Sequence, residues 1–314
     1  MPARYRGKDE IHRVTVIGSG LIGAGWVAAY LAQGLNVSVY DPSPDAQAKV
    51  RAHLDACWPG LTERGLPPRA DKTALSFLPT LEEAVDGTDF IQENTPERLE
   101  IKTALFEQLG KLTPADVLIA SSTSSMPITE LQKPCRHPQR CVLGHPFNPV
   151  HLMPLVEVGG GEATDKAAID SAVEFYKAIG KKPIRLEREI FGHIANRLTS
   201  ALFREAVSLV ASGIASVQDV DDAIRYGPAL KWAIQGEFTT FHTSGGEGGL
   251  TSFLKHFSPG IMRRWSTMSD PDLASPALQA QLAMQMEAAT GGKPVAEIAR
   301  RQDDLLLELL KILS

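Results

Sequence analysis

The sequence predicts an α/β fold: a Rossmann-type, mainly parallel sheet followed by a second, all-helical domain. Three observations carry this reading. Short apolar, β-rich runs alternate with helical stretches from Val14 to about Leu186. The first run breaks into closely spaced glycines in "VTVIGSGLIGAGW", residues 14–26. After Glu187 the pattern turns helical and no strand follows. The domains expected are residues 1–190, binding a dinucleotide, and residues 191–314, helical, holding the substrate pocket and a dimer contact.

The strand runs, in order, are "VTVIG", "NVSVYD", "DFIQEN", "DVLIAS", "RCVLGH", "LVEVG" and "KPIRLE". Between them, residues 21–33, 44–56, 98–109 and 165–179 repeat apolar residues every three or four positions, as a helix with one buried face does. Gly, Pro, Asp and Asn mark the joints. Residues 190–212 form one long helical pattern, and residues 217–224 and 295–313 are also helical. A loop-rich stretch containing "TSGGEGG" is expected between them.

The chain has 314 residues, 43% of them hydrophobic, enough for two cores. Its net charge of −5 and lack of a basic run argue against nucleic acid or an anionic membrane as partner. No window approaches the roughly 18 apolar residues of a membrane helix. The first residues lack the apolar core of a signal peptide. Cys57, Cys135 and Cys141 form no paired motif, so reduced thiols in a cytoplasmic protein are expected, and no metal site.

Gly18, Gly20 and Gly23 spell G-x-G-x-x-G between a strand and a helix, and Asp41 ends the next strand. In this fingerprint the first glycine permits the tight turn. The second lets backbone approach a pyrophosphate, and the third lets helix pack on strand. Backbone N–H groups through Ser19, Leu21 and Ile22 then face the anion at the helix start. Asp41 accepts from ribose hydroxyls and repels a 2′-phosphate, so NAD is expected over NADP. FAD is the alternative user of such a turn.

Downstream, "VLGHPFNPVHLMPLVEV" (residues 142–158) holds His145 at a strand end and Glu157 in an apolar run. A buried carboxylate needs a partner, and an imidazole satisfies it while gaining a fixed tautomer. The two read as a base and its orienter. "IASSTSSMP" (residues 119–127) offers hydroxyl donors to a substrate oxygen or, more simply, caps a turn. Asn196 stands among apolar neighbours in the long helix, facing either another helix or the crevice.

"IGSGLIGAGW", "ENTPERLEIKTALFEQL", "IASSTSSMPI", "GHPFNPVHLMPLVEV" and "FGHIANRL" occur in the order seen in the L-3-hydroxyacyl-CoA dehydrogenase superfamily, which the chain resembles over about residues 12–226. The resemblance implies an NAD-dependent dehydrogenase with a dimerising helical domain. It implies His145 as general base, Glu157 as its support, and Ser124 and Asn196 on the reacting oxygen. Glu97, Lys102 and Asn148 would line the nicotinamide side.

Within the superfamily the chain is most similar to the branch that does not use CoA, of the L-carnitine dehydrogenase type. The lambda-crystallin and L-gulonate 3-dehydrogenase type comes next. Pro59, Pro67 and Pro68 interrupt the segment where CoA enzymes carry a long helical arm. "YGPALKWAIQGEFTTFHTSGGEGGLTSF" replaces their G-P-F-E-L-x-D motif. A trimethylammonium group would seek aromatic faces. Trp232, Phe238, Phe241 and Phe253 are the candidates, with Glu237 as counter-charge and Arg197 for a carboxylate. The expected reaction oxidises L-carnitine to 3-dehydrocarnitine; L-gulonate and 3-hydroxybutyryl-CoA are alternative substrates. A non-catalytic NAD-binding or structural protein is the alternative of another class, opposed by the intact set of His145, Glu157, Ser124 and Asn196.

Overall fold

The computed structural model describes residues 4–313, which divide into two compact units between Asn196 and Arg197. In the first, β1 (Arg13–Ile17) leads through the glycine turn into α1 (Leu21–Ala32), then β2 (Asn36–Tyr40), α2 (Ala46–Glu63), β3 (Leu75–Phe77) and α3 (Leu81–Val85). β4 (Phe90–Glu93), α4 (Leu99–Leu112), β5 (Leu118–Ser121), α5 (Ile128–Gln132) and β6 (Cys141–Pro146) follow. β7 (Leu155–Gly160), α6 (Lys166–Ala178) and β8 (Lys182–Arg185) complete the sheet. The strand order is β3-β2-β1-β4-β5-β6-β7-β8, parallel throughout except for the antiparallel β6–β7 pair. Because β1 lies between β2 and β4, the chain reverses direction across the sheet there, and the crevice of such a fold opens at the carboxyl ends of those two strands.

Both sheet faces are covered, so its strands read as continuous apolar runs. Adjacent β4 residues Phe90 and Ile91 point to opposite faces and both are fully buried. On one face Trp26 and Tyr30 of α1 stack with ring centroids 5.1 Å apart, against Phe175 and Tyr176 of α6. On the other, Ile91 packs with Phe106, Leu109, Ile119, Leu131 and Leu143.

The second unit is helical: α7 (Ala195–Ala211, its first two residues still in the first unit), α8 (Val217–Tyr226), α9 (Pro228–Trp232), α10 (Glu237–Ser244), α11 (Gly249–Trp265), α12 (Pro276–Thr290) and α13 (Val295–Leu313). The loop-rich stretch expected there is instead four helices, α9 to α12. Its Gly-, Ser- and Thr-rich composition conceals them, because packing overrides weak propensity. Phe241 stacks on Phe253 at 4.5 Å and Phe253 meets Phe257 at 4.9 Å, so two of the aromatic candidates belong to a helix–helix core.

Two other expectations are corrected. α2 runs through Pro59 to Glu63. Pro59 is exposed and so is Asp55, whose carbonyl loses the Pro59 N–H and is left to water. The helix ends at Glu63, Gly65 turns the chain at φ +94° before Pro67 and Pro68, and residues 64–74 contain no second helix. The long helix begins at Ala195, five residues later than its pattern suggests, because Gly192 (φ +78°) and His193 (φ +51°) adopt left-handed backbone. That late start shapes the site.

Candidate active site

The glycine turn matches the physical roles given to it. Gly18 has φ +81°, and a Cβ there would stand 2.7 Å from the Asn94 carbonyl oxygen. A Cβ on Gly23 would lie 1.9 Å from the Gly18 carbonyl oxygen, so only hydrogen lets α1 sit against β1. Gly20 alone faces open space, with nothing within 4 Å of a built Cβ. That is the cradle a pyrophosphate needs: bare backbone at a helix start. Asp41 closes the adjoining corner. Its Oδ2 accepts from Ser19 N at 2.6 Å and Ser19 Oγ at 2.8 Å, and its Oδ1 from Ser43 N at 2.9 Å. Leu21 is exposed and Ile22 enters the wall of a cleft. These residues fit NAD.

That cleft, of about 240 Å³, is also lined by Glu97, Lys102, Ser122, Ser124 and His145. His145 lies inside β6, not after it, and register sets it directly opposite Glu157 on β7. Antiparallel pairing brings facing side chains together on one side of the sheet. His145 Nδ1 donates to Glu157 Oε2 at 2.8 Å. The other carboxylate oxygen accepts the backbone N–H groups of Ile194 (2.8 Å), the residue before α7, and Ala195 (3.0 Å), its first residue. Burial pushes the Glu157 carboxyl up, but the His145 bond and the two amides outweigh it and hold it below the usual carboxylate range. Glu157 is therefore an anion seated on a helix N-terminus. With Nδ1–H held by a carboxylate, His145 presents its Nε2 lone pair, and the ring, 6% exposed, reaches the cleft.

Behind His145 lies a polar layer that sequence reasoning missed. Gln92 is fully buried and uses its whole amide: Oε1 accepts from Tyr176 at 2.7 Å and Tyr30 at 2.9 Å, Nε2 donates to Ser122 Oγ at 2.9 Å and the Gly144 carbonyl at 3.2 Å. His193 was missed too. Its Nε2 donates to the Thr123 carbonyl at 2.9 Å, its ring centroid is 5.1 Å from that of His145, and burial keeps it below the usual histidine range. Nothing in local spacing marks either residue; a buried amide or imidazole acquires meaning only through partners distant in sequence.

The residues assigned to the nicotinamide side divide. Glu97 gathers the hydroxyl-rich turn: its Oε1 accepts from Thr123 Oγ1 at 2.7 Å, from the Ser124 and Ser125 amides at 2.9 and 3.1 Å, and from the Ser125 and Ser124 hydroxyls at 2.9 and 3.3 Å. Burial raises its carboxyl, but the Thr123 bond and Lys102 bring it below its ordinary value. Lys102, 1% exposed, gives its ammonium to Glu93 Oε1 at 2.8 Å and the Thr95 carbonyl at 3.0 Å. It braces the wall more than it offers charge to a ligand. Asn148 is exposed and is not among the residues lining this cleft. Asn196 is half-buried and its Nδ2 lies 3.5 Å from the Ser124 carbonyl, so the two expected oxygen donors are neighbours. In the second unit, Trp232 donates its indole N–H to Glu237, and Phe238 is 79% exposed.

The arrangement can take a proton at His145 Nε2 beside a dinucleotide cradle. Comparison with known proteins agrees. Residues 13–190 match the family described as 3-hydroxyacyl-CoA dehydrogenase, NAD binding domain, and residues 192–278 match its C-terminal domain. An L-carnitine dehydrogenase of Streptomyces coelicolor is 44% identical over 96% of this chain and 95% of its own, and one of Pseudomonas aeruginosa is 42% identical over 96% and 94%. Among solved structures, 5-formyl-3-hydroxy-2-methylpyridine 4-carboxylic acid 5-dehydrogenase, an NAD+-dependent dismutase, has a TM-score of 0.82 at 27% identity, covering 96% of this chain and 98% of that one. The 3-hydroxybutyryl-CoA dehydrogenase of Escherichia coli has a TM-score of 0.63 at 28% identity, covering 79% and 53%. With its glycine cradle, its paired His145 and Glu157, and matches along nearly its whole length, the chain belongs to the 3-hydroxyacyl-CoA dehydrogenase family and is an NAD-dependent oxidoreductase acting on CH–OH groups.

Proposed function

We propose that the enzyme oxidises the 3-hydroxyl of a small 3-hydroxy acid, and that this acid is L-carnitine, giving 3-dehydrocarnitine. The observation that carries the reading is the His145–Glu157 pair opening on the cleft beside the glycine turn. His145 Nε2 accepts the hydroxyl proton, and the Glu157 carboxylate stabilises the imidazolium that results. NAD, when bound, accepts the hydride from the carbinol carbon. Ser124 Oγ and Asn196 Nδ2 donate to the substrate oxygen as it gains negative character, a role worth about 3 kcal/mol per donor in comparable sites. Glu97, Lys102 and Asn148 serve the nicotinamide side in this reading, Lys102 by holding the wall in place.

The relatives named L-carnitine dehydrogenase support the substrate. So does the absence of a second helix in residues 64–74, where a CoA-binding arm would need one. Trp232 and Phe238 are assigned to the trimethylammonium group, whose attraction to an aromatic face is worth about 0.5–2 kcal/mol. The second domain, residues 191–314, supplies this part of the pocket and a homodimer contact. Its exposed Leu198, Phe203, Phe257, Met262 and Trp265 are apolar surface that a second copy would cover. Light scattering should then give twice the 34.0 kDa chain mass. We place the protein in the cytoplasm, where Cys57, Cys135 and Cys141, which form no disulfide, stay reduced. Among the described residues no helix is long and apolar enough to cross a membrane.

The deciding assay follows NADH absorbance with L-carnitine, L-gulonate and 3-hydroxybutyryl-CoA in parallel. Turnover of L-carnitine with the highest kcat/KM is expected. Turnover of the CoA ester alone would overturn the substrate.

A further inference from the structure

Away from the cleft, α2 and the turn after β6 bring together three residues that the reaction does not use. His53 and Cys57 are one helical turn apart on α2, and so share a face. His151 sits in the turn that Pro149 closes by accepting the Leu152 and Met153 amides at 3.0 and 2.8 Å. One ligand atom from each of the three lies within 4.8 Å of the others. The two imidazole rings meet edge to face with centroids 5.2 Å apart.

The histidines carry a second sign. His53 Nε2 and His151 Nδ1 are buried and hydrogen-bond to nothing among the described residues, and His151 is only 8% exposed. Buried polar atoms are paired in nearly every native structure, so two orphaned ring nitrogens in one cluster call for a partner that accepts lone pairs. Burial lowers both histidines, His151 to about 4 with help from His53 and Lys181.

We propose that His53, Cys57 and His151 form a site for one thiophilic divalent cation of the zinc class. Imidazole and thiolate together are the donor set such ions prefer over magnesium or calcium. Bonds of about 2.0–2.3 Å in a tetrahedron place ligand atoms about 3.6 Å apart, so small side-chain rotations close the present separation. On binding, the Cys57 thiol loses its proton to solvent as the sulfur–metal bond forms. The fourth position takes water from the cavity of about 180 Å³ that His151 also lines. The bound ion would pin α2, which follows the strand ending beside Asp41, to the turn six residues after His145. The site is then structural, joining the adenosine side of the fold to the strand that carries the base.

The test uses untagged full-length protein stripped with chelator and titrated with cobalt(II), a coloured substitute for zinc. One cobalt per chain is expected, with thiolate-to-cobalt charge-transfer absorption that zinc abolishes by displacement. Cys57→Ser should remove that absorption. His53→Gln and His151→Gln should each weaken binding by more than the roughly 10–100-fold that loss of an outer-shell partner costs. Retained NAD binding shows that each variant is folded. Zinc should raise Tm in the parent chain and in none of the variants. Cobalt bound without charge-transfer absorption, equal affinity in the variants, or no stoichiometric binding would each overturn the proposal.

Discussion

The two sides of the cleft are built by opposite means. On the His145 side the partners are strand-borne and buried. Glu157 is fixed by cross-strand register and by two amides at the start of α7, Ile194 and Ala195, and Gln92 behind it has all four amide positions filled. On the Ser124 side a loop is drawn around one carboxylate oxygen, and Ser124 itself is half-buried. Five donors aim at Glu97 Oε1, more than its lone pairs satisfy well, and the Ser124 hydroxyl at 3.3 Å holds on least. The imidazole proposed as proton acceptor is therefore positioned before anything binds. The proposed oxygen donors can be re-aimed at small cost when substrate arrives.

If that contrast holds, the largest loss comes from His145→Ala. Removing a positioned base should lower kcat by about 10²–10⁴ while NAD affinity, read by fluorescence titration, stays unchanged. A variant that keeps the parent rate would end the assignment of the base. The next loss comes from Glu157→Gln. The amide carbonyl can still accept from Ile194 and Ala195, but an NH₂ group facing His145 favours the wrong tautomer. We expect kcat down by about two orders of magnitude and stability down by about 1.5–3 kcal/mol, the worth of hydrogen bonds to a charged group. The folded-state pKa of Glu157 is depressed, so its ionised form stabilises the protein at any pH above its unfolded value, near 4.5. That contribution disappears as pH falls through the lower folded value. Denaturant melts should therefore show the parent and Glu157→Gln converging below pH 4.5 and separated at pH 7. A gap that persisted at acid pH would mean the variant fails by packing instead.

On the loop side, effects should be smaller and fall on rate without stability. Ser124→Ala removes one donor whose present bond is weak and exposed. We expect kcat to fall about tenfold to a hundredfold, less than a fully preorganised donor would cost, with Tm within about 1 °C of the parent. A Tm drop comparable to that of Glu157→Gln would erase the contrast between the sides.

How much of this could be read in the sequence follows the same division. The glycine turn was legible because its roles lie within six residues and depend on missing side chains. His145 and Glu157 were legible as residue types that need each other, but not their antiparallel register or the capping of α7, which depends on left-handed backbone at Gly192 and His193. Lys102 lines the cleft as its motif suggests, but its ion pair with Glu93, nine positions earlier, was not legible from spacing. Gln92, His193 and the pairing of α2 with His151 stayed hidden, since each is defined by contacts made only when distant strands and helices meet. Pro59 misled because a helix rule weighted for buried interiors was applied to an exposed position.

The smallest effect expected, and the sharpest probe of the contrast, lies at His193, which touches both sides. Its Nε2 holds the Thr123 carbonyl of the loop, while its ring stands beside His145. Asparagine tolerates the left-handed backbone at φ +51° but is too short to reach Thr123, so His193→Asn cuts the link without adding strain. Alone it should lower kcat only several-fold, because the base keeps its own carboxylate. The information is in the cycles. Combined with Ser124→Ala, the losses should be non-additive by about 0.5–3 kcal/mol, since both act by loosening one loop; combined with Glu157→Gln they should add. The reverse pattern would mean that His193 works through the imidazole pair, and that the two walls of the cleft are one mechanical unit.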